Sequence, residues 1–164
     1  MDVKERTEST PANLGDLVAA AANLAFAIEL YIKVLLDLLR SDVPQIHDLG
    51  KLYASLPLPA QADIEGSYES WRKEWYGKRA SITIAKGPTA APEWDDTRAE
   101  SHGLASVLER SGDVFSSWRY IYEFTQPTHG SHQFHRFEYG LLLSACRAIR
   151  SAVDDRLQNP PEQP

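Results

Sequence analysis

The sequence predicts an all-α protein, an up-and-down bundle of about five helices. Three observations carry this expectation. Apolar residues recur at three- and four-residue steps through five separate stretches. Prolines such as Pro44, Pro57, Pro59 and Pro127 fall between those stretches, where helices end. No set of alternating runs is long enough to build a sheet core, and no internal repeat is visible. With 164 residues, 43% of them hydrophobic and 24% charged, the chain has the balance of a folding domain and the length for one core.

Residues 1–11 are polar and read as a flexible arm, and 12–158 form the single helical domain. Pro11 and Asn13 open the first helix. Leu14, Leu17, Val18, Ala21, Leu24, Ala25, Ile28, Ile32, Leu35 and Leu39 line one face of it before Pro44. Asp16, Glu29, Lys33 and Asp37 interrupt the apolar run, so it reads as a core helix and no membrane span is expected. A second helix starts near His47 or Asp48, with Leu49, Leu52, Tyr53 and Leu56 inward, and stops at Pro57 and Pro59. A third runs from Ala60 to Lys78 with an aromatic stripe of Tyr68, Trp71, Trp75 and Tyr76. A loop insertion occupies about 79–100, where Ile82-Thr83-Ile84 has strand character but Gly87, Pro88 and Pro92 forbid a long element. A fourth helix spans Leu104 to Pro127, Gly112 notwithstanding. The fifth carries Phe134, Phe137, Leu141, Ala145, Ile149 and Val153 and runs to about Leu157, leaving 159–164 as a disordered tail.

One cysteine, Cys146, permits no intramolecular disulfide, and the first ten residues lack the apolar segment of a signal peptide, so a cytoplasmic location is expected. A net charge of −6 disfavours nucleic-acid binding over the whole surface but leaves room for a local basic patch. Such a patch is present in WRKEWYGKR at 71–79, where Arg72, Lys73, Lys78 and Arg79 interleave with Trp71 and Trp75. Basic side chains grip a phosphate backbone and aromatic ones stack on bases; the alternative is that the rings pack inward and the charges are an ordinary solvated face.

Glu29 precedes Lys33 by four residues, a favourable helical pair. At the edge of the apolar face, this pair has a carboxylate able to hold the ring of His47, while Asp48 is placed to cap the second helix. His129, His132 and His135 are three apart, yet Gly130 and Ser131 break the first half with a turn, so no metal site is expected. His132, His135 and Arg136, at the start of the fifth helix, would instead join Arg119 in a phosphate-holding cluster. No Gly-rich phosphate loop, nucleophile elbow or other cofactor motif occurs, so no cofactor is expected.

Glu29 with Lys33, then His47-Asp48-Leu49, then Arg119-Tyr120 fall in the order found in the HEPN domains (higher eukaryote and prokaryote nucleotide-binding helical domains), which the chain resembles over roughly 14–56 and 104–157. The resemblance implies a helical bundle, a homodimer, and an association with nucleotides or RNA, often beside a nucleotidyltransferase or toxin–antitoxin partner. It implies ligand-binding positions at Glu29, Lys33, His47, Asp48, Arg119 and Tyr120, to which His135 and Arg136 are added. Catalytic members are metal-independent endoribonucleases with an Arg followed four to six residues on by His. Here the nearest His after Arg119 is His129, beyond Pro127. Arg40 and His47 have six residues between them but flank the Pro44 turn, so that match is read as coincidence. A non-catalytic domain acting with a partner is therefore expected. The alternatives are a ribonuclease using Arg119 with a displaced His129 or His132, and a purely structural interaction domain.

Overall fold

The computed structural model describes residues 11–75, 82–85, 103–112 and 134–159. Helix α1 spans Pro11–Leu38, α2 Leu49–Ala54, α3 Leu58–Arg72 with a 3₁₀ turn at Lys73–Trp75, α4 Leu104–Arg110 and α5 Tyr139–Gln158. Strands β1 (Ile82–Ala85) and β2 (Phe134–Phe137) form a small antiparallel ribbon beside them. The protein is an all-α bundle carrying this one ribbon among its described residues.

α1 ends in a paired cap. The Arg40 N–H donates to the Asp37 carbonyl and the Ser41 N–H to the Leu36 carbonyl, both at 2.9 Å. Closing these two bonds puts Arg40 at a φ of 53°, a left-handed position usually given to glycine. α2 begins at the Asp48 carboxylate, which accepts the Lys51 N–H at 3.0 Å. Pro59 lies in the first turn of α3, where a missing N–H costs nothing, so the third helix starts two residues earlier than Ala60. α4 has only Gly103 at its N-cap, and its first N–H, on Leu104, is accepted by the Glu65 carboxylate of α3 at 3.0 Å.

α3 and α5 run antiparallel: Trp71 meets Arg147 towards one end of their seam, and Asp63 lies beside Asp155 and Arg156 towards the other. The core gathers Ile28, Ile32 and Leu35 of α1, Leu49 and Leu52 of α2, Ile64 and Tyr68 of α3, Leu104 and Leu108 of α4, and Ala145 and Ile149 of α5, with Phe137. Leu24 and Leu141 pack at its margin. Val18–Leu38 is long and apolar enough to cross a membrane by length and composition. In this fold its inner face is buried against the other helices, with the charged Glu29 on that same face.

Two expected elements differ. The fifth helix begins at Tyr139, and Phe134–Phe137 is a strand whose Phe134, His135, Arg136 and Phe137 stand opposite Ala85, Ile84, Thr83 and Ile82. Phe and His are indifferent helix formers, and Ile82-Thr83-Ile84, β-branched throughout, supplies a partner of high strand propensity. The fourth helix closes at Arg110, with a turn at Ser111 and Gly112. Gly112 is where the chain meets α2: its carbonyl accepts the Leu49 N–H at 3.3 Å, and a Cβ there would lie 3.0 Å from an Asp48 carboxylate oxygen. Residues 1–10 of the N-terminal arm, 76–81 with the expected end of the third helix, 86–102 with most of the loop insertion, 113–133 with Trp118, and the tail beyond 159 lie outside the described residues.

Candidate functional site

The site is built where the segment after α1 doubles back along it. Glu29 lies one helical turn from Ile32 on the inner face of α1 and is only 2% exposed. Its carboxylate is answered from two directions. Lys33, one turn on, donates to Oε1 at 2.8 Å. His47 brings Nδ1 to 2.9 Å from Oε1 and 3.1 Å from Oε2. A buried carboxylate needs such partners, since removal from water otherwise disfavours its charge. Facing the carboxylate, the neutral ring carries its proton on Nδ1, which donates to Glu29. The His47 side chain is 62% exposed, so the pair joins a buried anion to an imidazole at the surface.

The next residues fix that imidazole from the other side. Asp48 caps α2, and its carboxyl is held below the ordinary 3.8, first by the hydrogen bond from the Lys51 backbone N–H. Gly50 faces α4, where a Cβ would come 2.8 Å from Glu109 Cα. Only glycine lets the two backbones approach so closely. His47 thus sits on a segment pinned by a carboxylate of α1, a cap on α2 and the backbone of α4. With Nδ1–H given to Glu29, the neutral imidazole keeps Nε2 as an acceptor for the amino or hydroxyl group of a nucleotide, and Lys33 adds a partly exposed ammonium beside it.

Glu29, Lys33, His47 and Asp48 are therefore one constellation. Arg119, Tyr120, His129 and His132 lie outside the described residues. His135 and Arg136, expected at the start of the fifth helix, stand instead on β2, ahead of that helix. In the basic-aromatic patch, Trp71 packs against the core margin with the Arg147 guanidinium 5.1 Å above its ring. Arg147 also donates to Glu74 at 2.8 Å. Arg72 is 17% exposed and donates to Glu69 at 2.6 Å. Lys73 alone of the three is solvent-exposed, and the Trp75 side chain, Lys78 and Arg79 lie outside the described residues. The described part of the patch is a packed ring and paired charges, which favours the solvated-face reading there.

Burial raises the Cys146 thiol above its ordinary 9.0, against the pull of Arg150 and Arg147, which is the wrong direction for a nucleophile. Among the described residues no group of three or more His, Cys, Asp or Glu side chains is placed to hold a metal ion. Sequence reasoning missed three contacts: the Glu65 cap on α4, Arg147 over Trp71, and Arg110 donating to Glu138 at 2.9 Å. Each joins residues too far apart in the chain for a local pattern to signal. Comparison with protein-family models, with curated proteins and with solved structures finds no match.

Proposed function

We propose that this chain is a HEPN-like, non-catalytic domain that associates with a nucleotide or RNA phosphate, forms a homodimer, and acts with a protein partner of the nucleotidyltransferase or toxin–antitoxin kind. The observation that supports the reading is the buried Glu29 carboxylate orienting the exposed His47 imidazole, with Lys33 beside it. That arrangement spends a desolvated charge on a surface group, which packing alone does not require. The ligand role rests on Lys33 as a donor to phosphate, on His47 as an acceptor for a base or ribose group, and on Arg119 as the further guanidinium, a fork suited to phosphate. Asp48 is a cap and Glu29 a positioning residue in this scheme. Catalysis is set aside because His129 is ten residues from Arg119, across Pro127.

The test is a titration of the full chain with ATP and with a fluorescently labelled single-stranded RNA, with the RNA recovered afterwards on a gel. Binding of one probe, intact RNA, and a loss of roughly tenfold or more are expected, in Arg119→Ala at unchanged melting temperature and in His47→Ala at one lowered by no more than the few degrees that its bond to Glu29 is worth, the size following from one charged hydrogen bond. Cleavage of the RNA that His129→Ala or His132→Ala abolishes would replace this reading by the ribonuclease one. Absence of binding to either probe would leave a structural interaction domain.

A further inference from the structure

The face of α1 turned away from the buried Ile28, Ile32 and Leu35 carries an apolar stripe. Phe26, Leu30 and Val34 are 40%, 45% and 44% exposed, and they follow one another along a single line of the helix. Exposed Asn23 and Asp37 close the line at its two ends. The steps from Asn23 to Phe26, Leu30, Val34 and Asp37 are three, four, four and three. At about 100° per residue all five fall within roughly 80° of arc. Lys33, at the border, turns its ammonium to Glu29. The pattern therefore reads the same in both directions about Leu30, which is the property an antiparallel two-fold contact requires of a surface.

We propose that this stripe is the homodimer interface, with α1 packed antiparallel on α1 of a second copy and Leu30 on the two-fold axis. It deepens the homodimer named above by assigning its surface. In this register Leu30 meets its own equivalent, Phe26 meets Val34, and the Asn23 amide faces the Asp37 carboxylate as its donor. Charge chooses the same orientation. The exposed Asp16 lies towards the start of the helix and the exposed Arg40 and Asp42 follow its end, so an antiparallel pair brings Asp16 to one charge of each sign, whereas a parallel pair sets Asp16, Asp37, Arg40 and Asp42 each against itself. Exposed Ala19 continues the line with a side chain small enough for close approach. The stripe is short, about 21 Å from Asn23 to Asp37 at 1.5 Å per residue. That places the contact at the small, concentration-dependent end of stable interfaces.

The register is tested by disulfide trapping in a Cys146→Ser background, with mass measured by light scattering at tens of micromolar. Leu30→Cys is expected to give a covalent dimer under mild oxidation. Phe26→Cys and Val34→Cys should each cross-link poorly alone and efficiently when mixed. Leu30→Asp, at an exposed position, should keep its far-ultraviolet spectrum and run as a monomer. A dimer that forms without the Leu30 cross-link, and that Leu30→Asp does not dissociate, overturns the interface while leaving the homodimer standing. A wild-type monomer overturns both, whether the stripe then proves to bind anionic phospholipid vesicles or a different protein. The phosphate-binding titration is read separately, so its failure is distinguishable from either result.

Discussion

Glu29→Gln keeps the shape of the buried side chain and removes its charge, and the structure sets the size of the effect. Glu29 accepts from Lys33 at 2.8 Å and from His47 at 2.9 Å. Hydrogen bonds to a charged group are worth about 1.5–3 kcal/mol when both partners are enclosed. Here the partners are 20% and 62% exposed, so each regains water when released, and His47 regains more. Discounting the two bonds for that recovery puts Glu29→Gln at roughly 2 kcal/mol of destabilisation, with about 1 kcal/mol belonging to the link with His47. Urea unfolding of the wild type, Glu29→Gln, His47→Ala and the double variant at neutral pH isolates that second figure as a coupling energy. The single substitutions should not add, and the double variant should be about 1 kcal/mol less destabilised than their sum. Additivity to within roughly 0.3 kcal/mol, the scatter of independent sites, would refute the claim that the carboxylate holds the ring.

Arg40→Gly relieves the left-handed residue that ends α1, whose φ is 53° with both cap hydrogen bonds intact. A gain of about 0.5–1 kcal/mol, or roughly 2–3 °C in melting temperature, is expected by calorimetry after the greater freedom of unfolded glycine is deducted. Gly50→Val drives a Cβ to 2.8 Å from a backbone atom of α4, which cannot rotate away as a side chain would. Denaturant melts should show a loss of about 2 kcal/mol, overpacking outweighing valine's better helix propensity. Asp48→Ala removes the α2 cap at a cost of about 1 kcal/mol at neutral pH. The folded carboxyl titrates below its ordinary 3.8, so its stabilisation is present above that value and is lost as pH falls through the folded one. Acid unfolding curves of wild type and Asp48→Ala should therefore converge below about pH 4, whereas Asp48→Asn should show no such convergence.

Local physics made much of this legible. The inner stripe of α1, the capping aspartate before Leu49, and the four-residue step from Glu29 to Lys33 each depend on residues within a turn or two of one another. So did the suspicion that the carboxylate reaches His47, because Pro44 forces the chain to turn near the end of α1. What the sequence hid was non-local. Phe134 and Phe137, three apart, satisfy a helical stripe, and only the arrival of Ile82–Ala85 alongside decides for a strand. Gly50 and Gly112 announce backbone freedom without saying that α4 and Asp48 need the space. The composition of 71–79 suggested RNA, but whether Trp71 offers its face to a base depends on Arg147, more than seventy residues away, which covers it.

Whether the Glu29 link exists for stability or for the imidazole is decided by a substitution that removes both the charge and the need to satisfy it. Replacing buried ionic groups by apolar ones of similar volume is often neutral or stabilising, because the desolvation cost disappears with the attraction. Glu29→Met fits the volume beside Ile28 and Ile32, and Lys33 and His47 retain enough exposure to hydrate. Its stability should lie within about 1 kcal/mol of wild type, above that of Glu29→Gln, which keeps a buried polar amide. The His47 ring, however, loses the acceptor that fixes its tautomer and direction. Nuclear magnetic resonance of the imidazole should show the two tautomers exchanging, and binding of ATP or RNA should weaken towards the His47→Ala level. A Glu29→Met protein that is as stable as wild type and binds as tightly would mean that orientation of His47 is incidental, and the ligand-site reading of this constellation would fall with it.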